Sequence, residues 1–304
     1  MILAYNKWNV SPENALQFGE AGVEARDFVL SYNNQKLSIT TNPPGANNPL
    51  EVNFSNFKIE TLTEMAKKDS LLLGGTINGG VVVRNLEASP VFTSDLNIGN
   101  FNFRGDTVGN IALKVNNETE NAFAANVNIS GKGNQVDLKG MYFTGNSSFN
   151  MDLDIGNLNM KSIEGFSMGN LENSSGSLNG KLAITGSTSA PQVRGGINFC
   201  ETAFTVSMLN SYFKIPDNRI VFNEEGIRFN RFTLVDSANN EAVLNGQVYT
   251  KTFTDYRFDL RLNTDNFQVI NSKATDNQLY YGKLLIDTRL GIKGDLDRPV
   301  IDGS

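Results

Sequence analysis

The feature that most constrains the fold is the alternation of apolar and polar residues, which runs from about residue 28 to the end of the sequence. Residues 151–155 alternate Met, Leu and Ile with two Asp, and residues 258–262 alternate Phe and Leu with Asp and Arg. Successive side chains of a β-strand point to opposite faces, so this period of two predicts sheets with one apolar face. Turn signals such as Gly131-Lys132-Gly133 and Asn239-Asn240 separate the alternating runs. The sequence therefore predicts an all-β chain.

Helical patterns are scarce in this sequence. The best candidate covers Glu60–Asp69, where Leu62, Met65 and Ala66 share one face. A weaker candidate covers Ser162–Met168. We therefore expect only a few short helices.

An internal repeat of about 100 residues organises the strands. In each copy an alternating strand ends with an Asn followed by an apolar residue, at Asn56-Phe57, Asn157-Leu158 and Asn266-Phe267. Repeats that cannot bury their own apolar face must stack on one another. We therefore expect residues 1–304 to form one continuous unit, with approximate repeats at 50–150, 151–257 and 258–304, the last of them truncated.

The composition excludes several functions. A net charge of −6 argues against nucleic acid as a partner, because binding phosphates needs clustered Lys and Arg. The absence of His excludes Ser-His-Asp catalysis and His-ligated zinc, and one cysteine, Cys200, cannot form an internal disulfide. Closely spaced carboxylates such as Asp152 and Asp154 fall on the polar phase, which favours a solvated outer face. We expect no catalytic residue, no metal site, no cofactor and no enzymatic activity.

Two stretches carry a family resemblance, Gly176–Phe199 and Ile220–Gly303. Their most specific parts are the run that ends in Thr-Leu-Val-Asp236, the run Ala-Val-Leu-Asn-Gly246, and Asn-Gln-Leu-Tyr-Tyr-Gly at 277–282. In this order they resemble the C-terminal region of the TamB family, the translocation and assembly modules of Gram-negative bacteria. The resemblance is weaker before residue 57.

The resemblance implies an elongated, curled β-sheet that forms a groove with an apolar interior. It also implies a periplasmic location, with anchoring in the inner membrane through an N-terminal helix that this sequence lacks. The expected partner is a BamA-like outer-membrane barrel of the TamA type, met through regions outside this sequence. The expected roles are phospholipid transport to the outer membrane, outer-membrane protein assembly, or both.

The apolar phase of the strands is the predicted lining of the groove. Burial of an acyl chain against carbon contributes about 0.8 kcal/mol per CH₂, so a continuous apolar track suits acyl chains or unfolded outer-membrane strands as cargo. The alternative is that the same residues fill a closed β-sandwich core. The predicted lining residues are Val52, Phe54, Val127, Ile129, Met151, Leu153, Ile155, Leu182, Ile184, Phe258, Leu260 and Leu262.

Two other classes of protein alternate in a similar way. A β-solenoid adhesin or polysaccharide-acting passenger domain would explain the abundant Asn and Gly, but its repeat is about 20–25 residues. A transmembrane β-barrel also alternates over about ten residues, but needs aromatic girdles at both strand ends. The sequence has a single Trp and scattered Tyr residues, which favours the groove.

Overall fold

The computed structural model describes residues 2–3, 6–19, 22–65, 72–86, 89–275 and 281–303. Of these residues, 72% lie in strands and 6% in helices, which confirms the all-β class with few short helices and is consistent with a curled groove. Contacts divide the chain into two compact units. The first contains residues 1–132 and 137–145, and the second contains residues 133–136 and 146–304.

The first unit is an antiparallel sheet with two small hairpins. The sheet has the order β3-β6-β7-β8-β9-β10-β11-β12, while β1 pairs with β2 and β4 with β5. Strands β1 to β5 precede residue 28, where the alternation gave no signal. The elements are β1 Ile2–Leu3, β2 Asn6–Lys7, β3 Asn9–Val10, β4 Ala15–Gly19, β5 Gly22–Arg26, β6 Phe28–Tyr32, β7 Gln35–Thr41, β8 Leu50–Lys58, α1 Ile59–Met65, β9 Leu73–Arg84, β10 Val91–Phe103, β11 Asp106–Asn116 and β12 Ala122–Gly131. Strand β13, Asn134–Phe143, has residues in both units.

The second unit is also an antiparallel sheet, built from longer strands. Its order is β14-β15-β16-β18-β19-β20-β21-β22-β23, and the short β17 pairs with β16 and with β19. The elements are β14 Ser148–Asn159, α2 Met160–Phe166, β15 Leu171–Ser187, β16 Ala190–Val206, a 3₁₀ turn at Ser207–Leu209, β17 Ser211–Ile215, β18 Asn218–Asn223, β19 Gly226–Val235, β20 Glu241–Tyr249, β21 Arg257–Ser272, β22 Gly282–Asp295 and β23 Pro299–Gly303.

Both predicted helices are present, with different boundaries. Helix α1 covers residues 59–65, and residues 66–69 of the expected helix lie outside the described residues. Helix α2 begins two residues before the expected Ser162, because the Asn159 side chain accepts a hydrogen bond from the Lys161 N–H and caps the helix there. Among the described residues, no helix is long and apolar enough to cross a membrane.

The Asn-apolar pairs that mark the repeats lie at β-bulges. The register shifts between Phe54 and Phe57 in β8, and corresponding shifts occur in β14 and β21. Asn56 and Asn266 adopt left-handed backbone conformations with φ of 48° and 49°. Asn tolerates this conformation better than most residues, and a bulge increases the local twist of its strand. The pattern therefore encodes a bend in the sheet.

The extra N–H group at a bulge is satisfied by an Asn on the next strand. Asn56 donates its backbone N–H to Asn78 Oδ1 at 2.8 Å, and Arg231 donates its own to Asn245 Oδ1 at 2.7 Å. In the second case the following residue is Gly246. These Asn side chains explain part of the polar, uncharged composition.

Gly246 has a conformation that only glycine adopts readily. Its φ is +126°, and a Cβ placed there would lie 2.1 Å from the carbonyl oxygen of Asp259 on β21. The backbone of β21 could not move away from such a Cβ without breaking the hydrogen bonds that pair β20 with β21. Glycine at this position is therefore required for β20 and β21 to pair.

Among the described residues, each unit contains a cluster of buried apolar residues. In the first, Trp8 is 2% exposed, with ring centroids 5.5 Å from Tyr32 and 5.6 Å from Phe57. In the second, Phe213 and Phe267 stack with centroids 5.5 Å apart, beside the buried Ala242. The short β17 thus brings an aromatic side chain onto the apolar face of the second sheet.

Candidate functional site

The predicted lining residues all lie on the buried side of their strands. Ile155, Leu182 and Leu260 are buried, and the other nine are half-buried, whereas the intervening Asp152 and Asp259 are exposed. The alternation of burial is complete at residues 258–262, whereas Asp154 and Asn128 are half-buried like their apolar neighbours. Contact of these residues with cargo stays a prediction.

In the first unit the lining residues belong to rows that cross the sheet. A row contains one residue from each strand that it crosses, and neighbouring residues of a row are directly paired across two adjacent strands. One row is Ile129, Ile111, Ile98, Ile77 and Phe57, and the next is Val127, Leu113, Leu96, Gly79, Phe54, Leu37 and Leu30.

The second unit has rows of the same kind. Met151 faces Ile184, and Leu153 faces Leu182, so four predicted residues form two adjacent cross-strand pairs. The longest row follows one register through most of the unit. It consists of Ile155, Gly180, Ile197, Ile220, Phe229, Gly246, Leu260, Ile292 and Ile301.

The protein's own core already covers part of the lining. Val52 and Phe54 pack against the Trp8 cluster, and Leu262 packs against the Phe213 cluster. These three residues therefore pack within a closed core, as the β-sandwich alternative predicts. Neither cluster, as far as the described residues show, includes Leu153 or Val127, and such positions remain candidates for cargo contact.

Three buried polar side chains that the sequence did not single out hold the strand ends. Each accepts the backbone N–H of the residue that follows an Asn-apolar bulge pair. Gln35 and Asn134 are 5% exposed and Asp236 is 1% exposed. The pairs are Lys58 N–H to Gln35 Oε1 at 3.0 Å, Asn159 N–H to Asn134 Oδ1 at 2.7 Å, and Gln268 N–H to Asp236 Oδ2 at 2.8 Å.

Two of these side chains also hold the first turn of a helix. Gln35 Oε1 accepts a hydrogen bond from Thr61 Oγ1 at 3.0 Å, and Asn134 Nδ2 donates to Ser162 Oγ at 2.8 Å. The donors and acceptors that burial removes from water are thereby paired. The one signal in the sequence is the spacing of about 100 residues between Gln35 and Asn134, which matches the repeat.

Asp236 is the charged member of this set. Its Oδ1 accepts the N–H groups of Ala238 and Asn240 at 2.8 and 2.9 Å, and its Oδ2 accepts Asn240 Nδ2 at 3.0 Å besides Gln268. Desolvation by burial raises the pKa of Asp236, but the hydrogen bonds from Gln268, Asn240 and Ala238 together outweigh it, so the pKa lies below its ordinary value of 3.8. The carboxylate is therefore an ionised structural group.

The carboxylates on the polar face pair with cations near the surface. Lys181 Nζ lies 2.5 Å from Asp154 Oδ2, Arg194 lies 2.8 Å from Glu224, and Lys114 lies 2.9 Å from Asp95. Lys181 has a raised pKa because it donates a hydrogen bond to Asp154, whose negative charge acts in the same direction. Within the described ranges, no three His, Cys, Asp or Glu side chains are grouped so that they could hold a metal ion.

Comparison with known proteins identifies one part of the chain. Residues 230–304 match the family model of the TamB C-terminal domain. No curated protein and no solved structure gives a significant match. The matched segment contains Asp236, Gly246 and the lining residues of β21, while residues 277–280 of the sequence signature lie outside the described residues. Over residues 230–304 the resemblance to the C-terminal region of the TamB family is thus confirmed, and this segment is similar to that family's C-terminal domain.

Proposed function

We propose that this protein is a non-enzymatic module that shields hydrophobic cargo on the apolar faces of its sheets. The observation that carries the proposal is the set of continuous cross-strand rows, such as the one from Ile155 to Ile301 in the second unit. A single buried core needs apolar residues in one place. These rows extend apolar surface along the succession of strands, which suits a long apolar cargo.

Acyl chains of phospholipids are the cargo that this surface suits best. Each CH₂ group moved from water onto an apolar surface contributes about 0.8 kcal/mol. The rows contain almost no polar side chain that a bound acyl chain would remove from water. Unfolded strands of outer-membrane proteins share the alternation and would place one apolar face on the same rows. Both cargoes bind through the same residues.

The family match supports a role in the bacterial envelope. TamB-family proteins are envelope-associated modules for membrane-protein assembly and lipid transport. We propose on this basis that the protein acts in the periplasm between an inner-membrane anchor and a BamA-like outer-membrane barrel of the TamA type. Phospholipid transport towards the outer membrane is the activity that the apolar rows favour.

Site-specific photocrosslinking tests this function. A photoreactive amino acid at Leu153, Leu182 or Val127 should capture acyl chains in cells, because these side chains lie on the apolar face. The matched control positions are Asp152 and Lys181, which are exposed on the other face of the same strands. Equal capture at both sets would show that the apolar face is not the cargo surface. Capture of polypeptide alone at the apolar positions would favour protein assembly over lipid transport.

A further inference from the structure

Three aromatic rings form a shelf at one end of the apolar face in the first unit. The ring centroids of Phe92 and Phe123 lie 5.8 Å apart, and those of Phe123 and Tyr142 lie 6.4 Å apart. All three side chains are half-buried. Phe92 starts the apolar phase of β10, Phe123 lies at the start of β12, and Tyr142 lies near the end of β13, so the shelf follows one edge of the sheet.

The turn that holds this aromatic shelf is polar and well fixed. Phe92 donates its backbone N–H to Asn117 Oδ1 at 2.7 Å, and Asn117 Nδ2 donates to the Pro90 carbonyl at 2.9 Å. Asn121 ends the turn and accepts the Thr144 N–H at 2.8 Å. The turn beside the rings is thus hydrogen-bonded to the start of β10 and to the residue that follows β13.

The charges at this edge are mainly negative. Glu118 and Glu120 lie in the turn and are exposed, and Arg84 lies 3.8 Å from Glu118. One cation beside two carboxylates leaves an excess of negative charge. Such an edge repels an anionic group and attracts an ammonium group, which aromatic faces also bind.

On β10 the apolar face beyond the aromatic shelf belongs to the protein's own core. Ile98 and Phe101 of β10 pack against the cluster that contains Phe57, Ile77 and Trp8. On β12 the same face leads from Phe123 through Val127 to Ile129, and none of these three residues belongs to that cluster as far as the described residues show. Six residues separate Phe123 from Ile129, which at about 3.3 Å per residue gives a track of about 20 Å. One leaflet occupies about half of the 30 Å hydrocarbon core of a bilayer, so the track can accommodate a full acyl chain.

An amphiphile bound on this face must place its polar end where polar groups are available. Resting on the function proposed above, we propose that the first unit binds glycerophospholipid in one direction, with the headgroup at the aromatic shelf and the acyl chains running along β12 towards Val127 and Ile129. The excess of carboxylates selects a zwitterionic, amine-bearing headgroup over an anionic one. Tyr142 suits the boundary, because its ring is apolar and its hydroxyl is polar.

Photoactivatable lipids test the direction of binding. The purified protein is incubated with phosphatidylethanolamine vesicles that contain an analogue with a diazirine either at the acyl terminus or beside the headgroup, and the adducts are located by mass spectrometry. We expect acyl-terminal adducts at Ile111, Val127 and Ile129, and headgroup adducts at Phe123, Tyr142 or residues 117–121. Equal distribution of the two probes, or the reverse distribution, would overturn the proposed direction.

Two further comparisons in the same experiment distinguish failure of this inference from failure of the proposed function. Adducts on the second unit but none on the first would overturn the inference and leave the function intact, whereas no adduct on either unit would overturn both. The double variant Phe123→Leu/Tyr142→Leu keeps the surface apolar and should reduce the preference of headgroup adducts for the shelf at least threefold. Phe18→Leu, which removes an exposed ring of β4 outside the lining, is the control, and fluorescence of the single Trp, Trp8, reports folding of the first unit.

The headgroup preference has its own readout. Vesicles of phosphatidylglycerol in place of phosphatidylethanolamine should reduce adducts at residues 117–121 at least threefold. The charge-reversed variant Glu118→Lys/Glu120→Lys should abolish or invert that difference. Equal labelling by both lipids in the wild-type protein would overturn the selection of an amine-bearing headgroup.

Discussion

Replacement of Asp236 by Ala is the most severe test of the hydrogen bonds that join the end of β19 to β21. The substitution removes the acceptor of four hydrogen bonds, from the N–H groups of Ala238, Asn240 and Gln268 and from Asn240 Nδ2, at a residue that is 1% exposed. Water can reach the turn donors after the substitution, but the Gln268 N–H at the bulge is left without an acceptor. A buried group without its partner costs about 1–3 kcal/mol, and loss of a charged partner costs more. We expect a loss of about 3–4 kcal/mol in the free energy of unfolding.

Urea denaturation followed by circular dichroism measures this loss. The matched control is Asp154→Ala, because the Asp154 side chain is 48% exposed and pairs with Lys181 at the surface, where a salt bridge contributes at most about 1 kcal/mol. Asp236→Asn keeps one oxygen but turns an amide donor towards two donors, so it should be nearly as destabilising as Ala. A loss below about 0.5 kcal/mol for Asp236→Ala would refute the structural role of the carboxylate.

Three other predictions follow from the same structure. Because folding lowers the pKa of Asp236, the stability that its ionised carboxylate contributes is fully present above the ordinary pKa of 3.8 and is lost as the pH falls through the lower folded value. In urea titrations, the stability difference between wild type and Asp236→Asn should therefore be constant from pH 5 to 7 and shrink below pH 4. Gly246→Ala should destabilise by about 2 kcal/mol or more because of its positive φ and the Asp259 carbonyl, whereas Gly291→Ala, where the nearest atom would be 3.8 Å away, should change stability little. Leu153→Arg should sensitise cells to detergent at matched protein levels, because a charge interrupts the apolar rows, while Asp152→Arg on the exposed face should not; equal behaviour of the two would contradict transport along the lining.

Much of this fold could be predicted from the sequence, because alternation reports directly which side of a strand is buried. Residues 258–262 have the predicted alternation of burial, residues 151–155 have it except at the half-buried Asp154, and both helices lie close to where they were expected. The Trp8 cluster could not be predicted in this way. Trp8 lies between β2 and β3, which have two residues each, and a period of two cannot be recognised over that length.

The buried polar side chains escaped prediction for a different reason. Gln35, Asn134 and Asp236 look like ordinary outer-face or turn residues, since polarity alone does not distinguish a solvated side chain from a hydrogen-bonded buried one. Their role depends on which backbone N–H lies opposite, and that is set by the register of strands and bulges. Likewise, the sequence could not show that Val52, Phe54 and Leu262 pack within the protein's own clusters.

The central claim is that the apolar rows hold the hydrocarbon of a lipid. The most direct measurement is mass spectrometry of lipid that remains bound to the purified protein, for the wild type and for Leu153→Arg, which places a charge opposite Leu182. The account predicts glycerophospholipid bound to the wild type and a reduction of at least threefold in the variant, with folding preserved in both. Wild-type protein that is folded and carries no lipid, or a variant that retains the full amount, would contradict it.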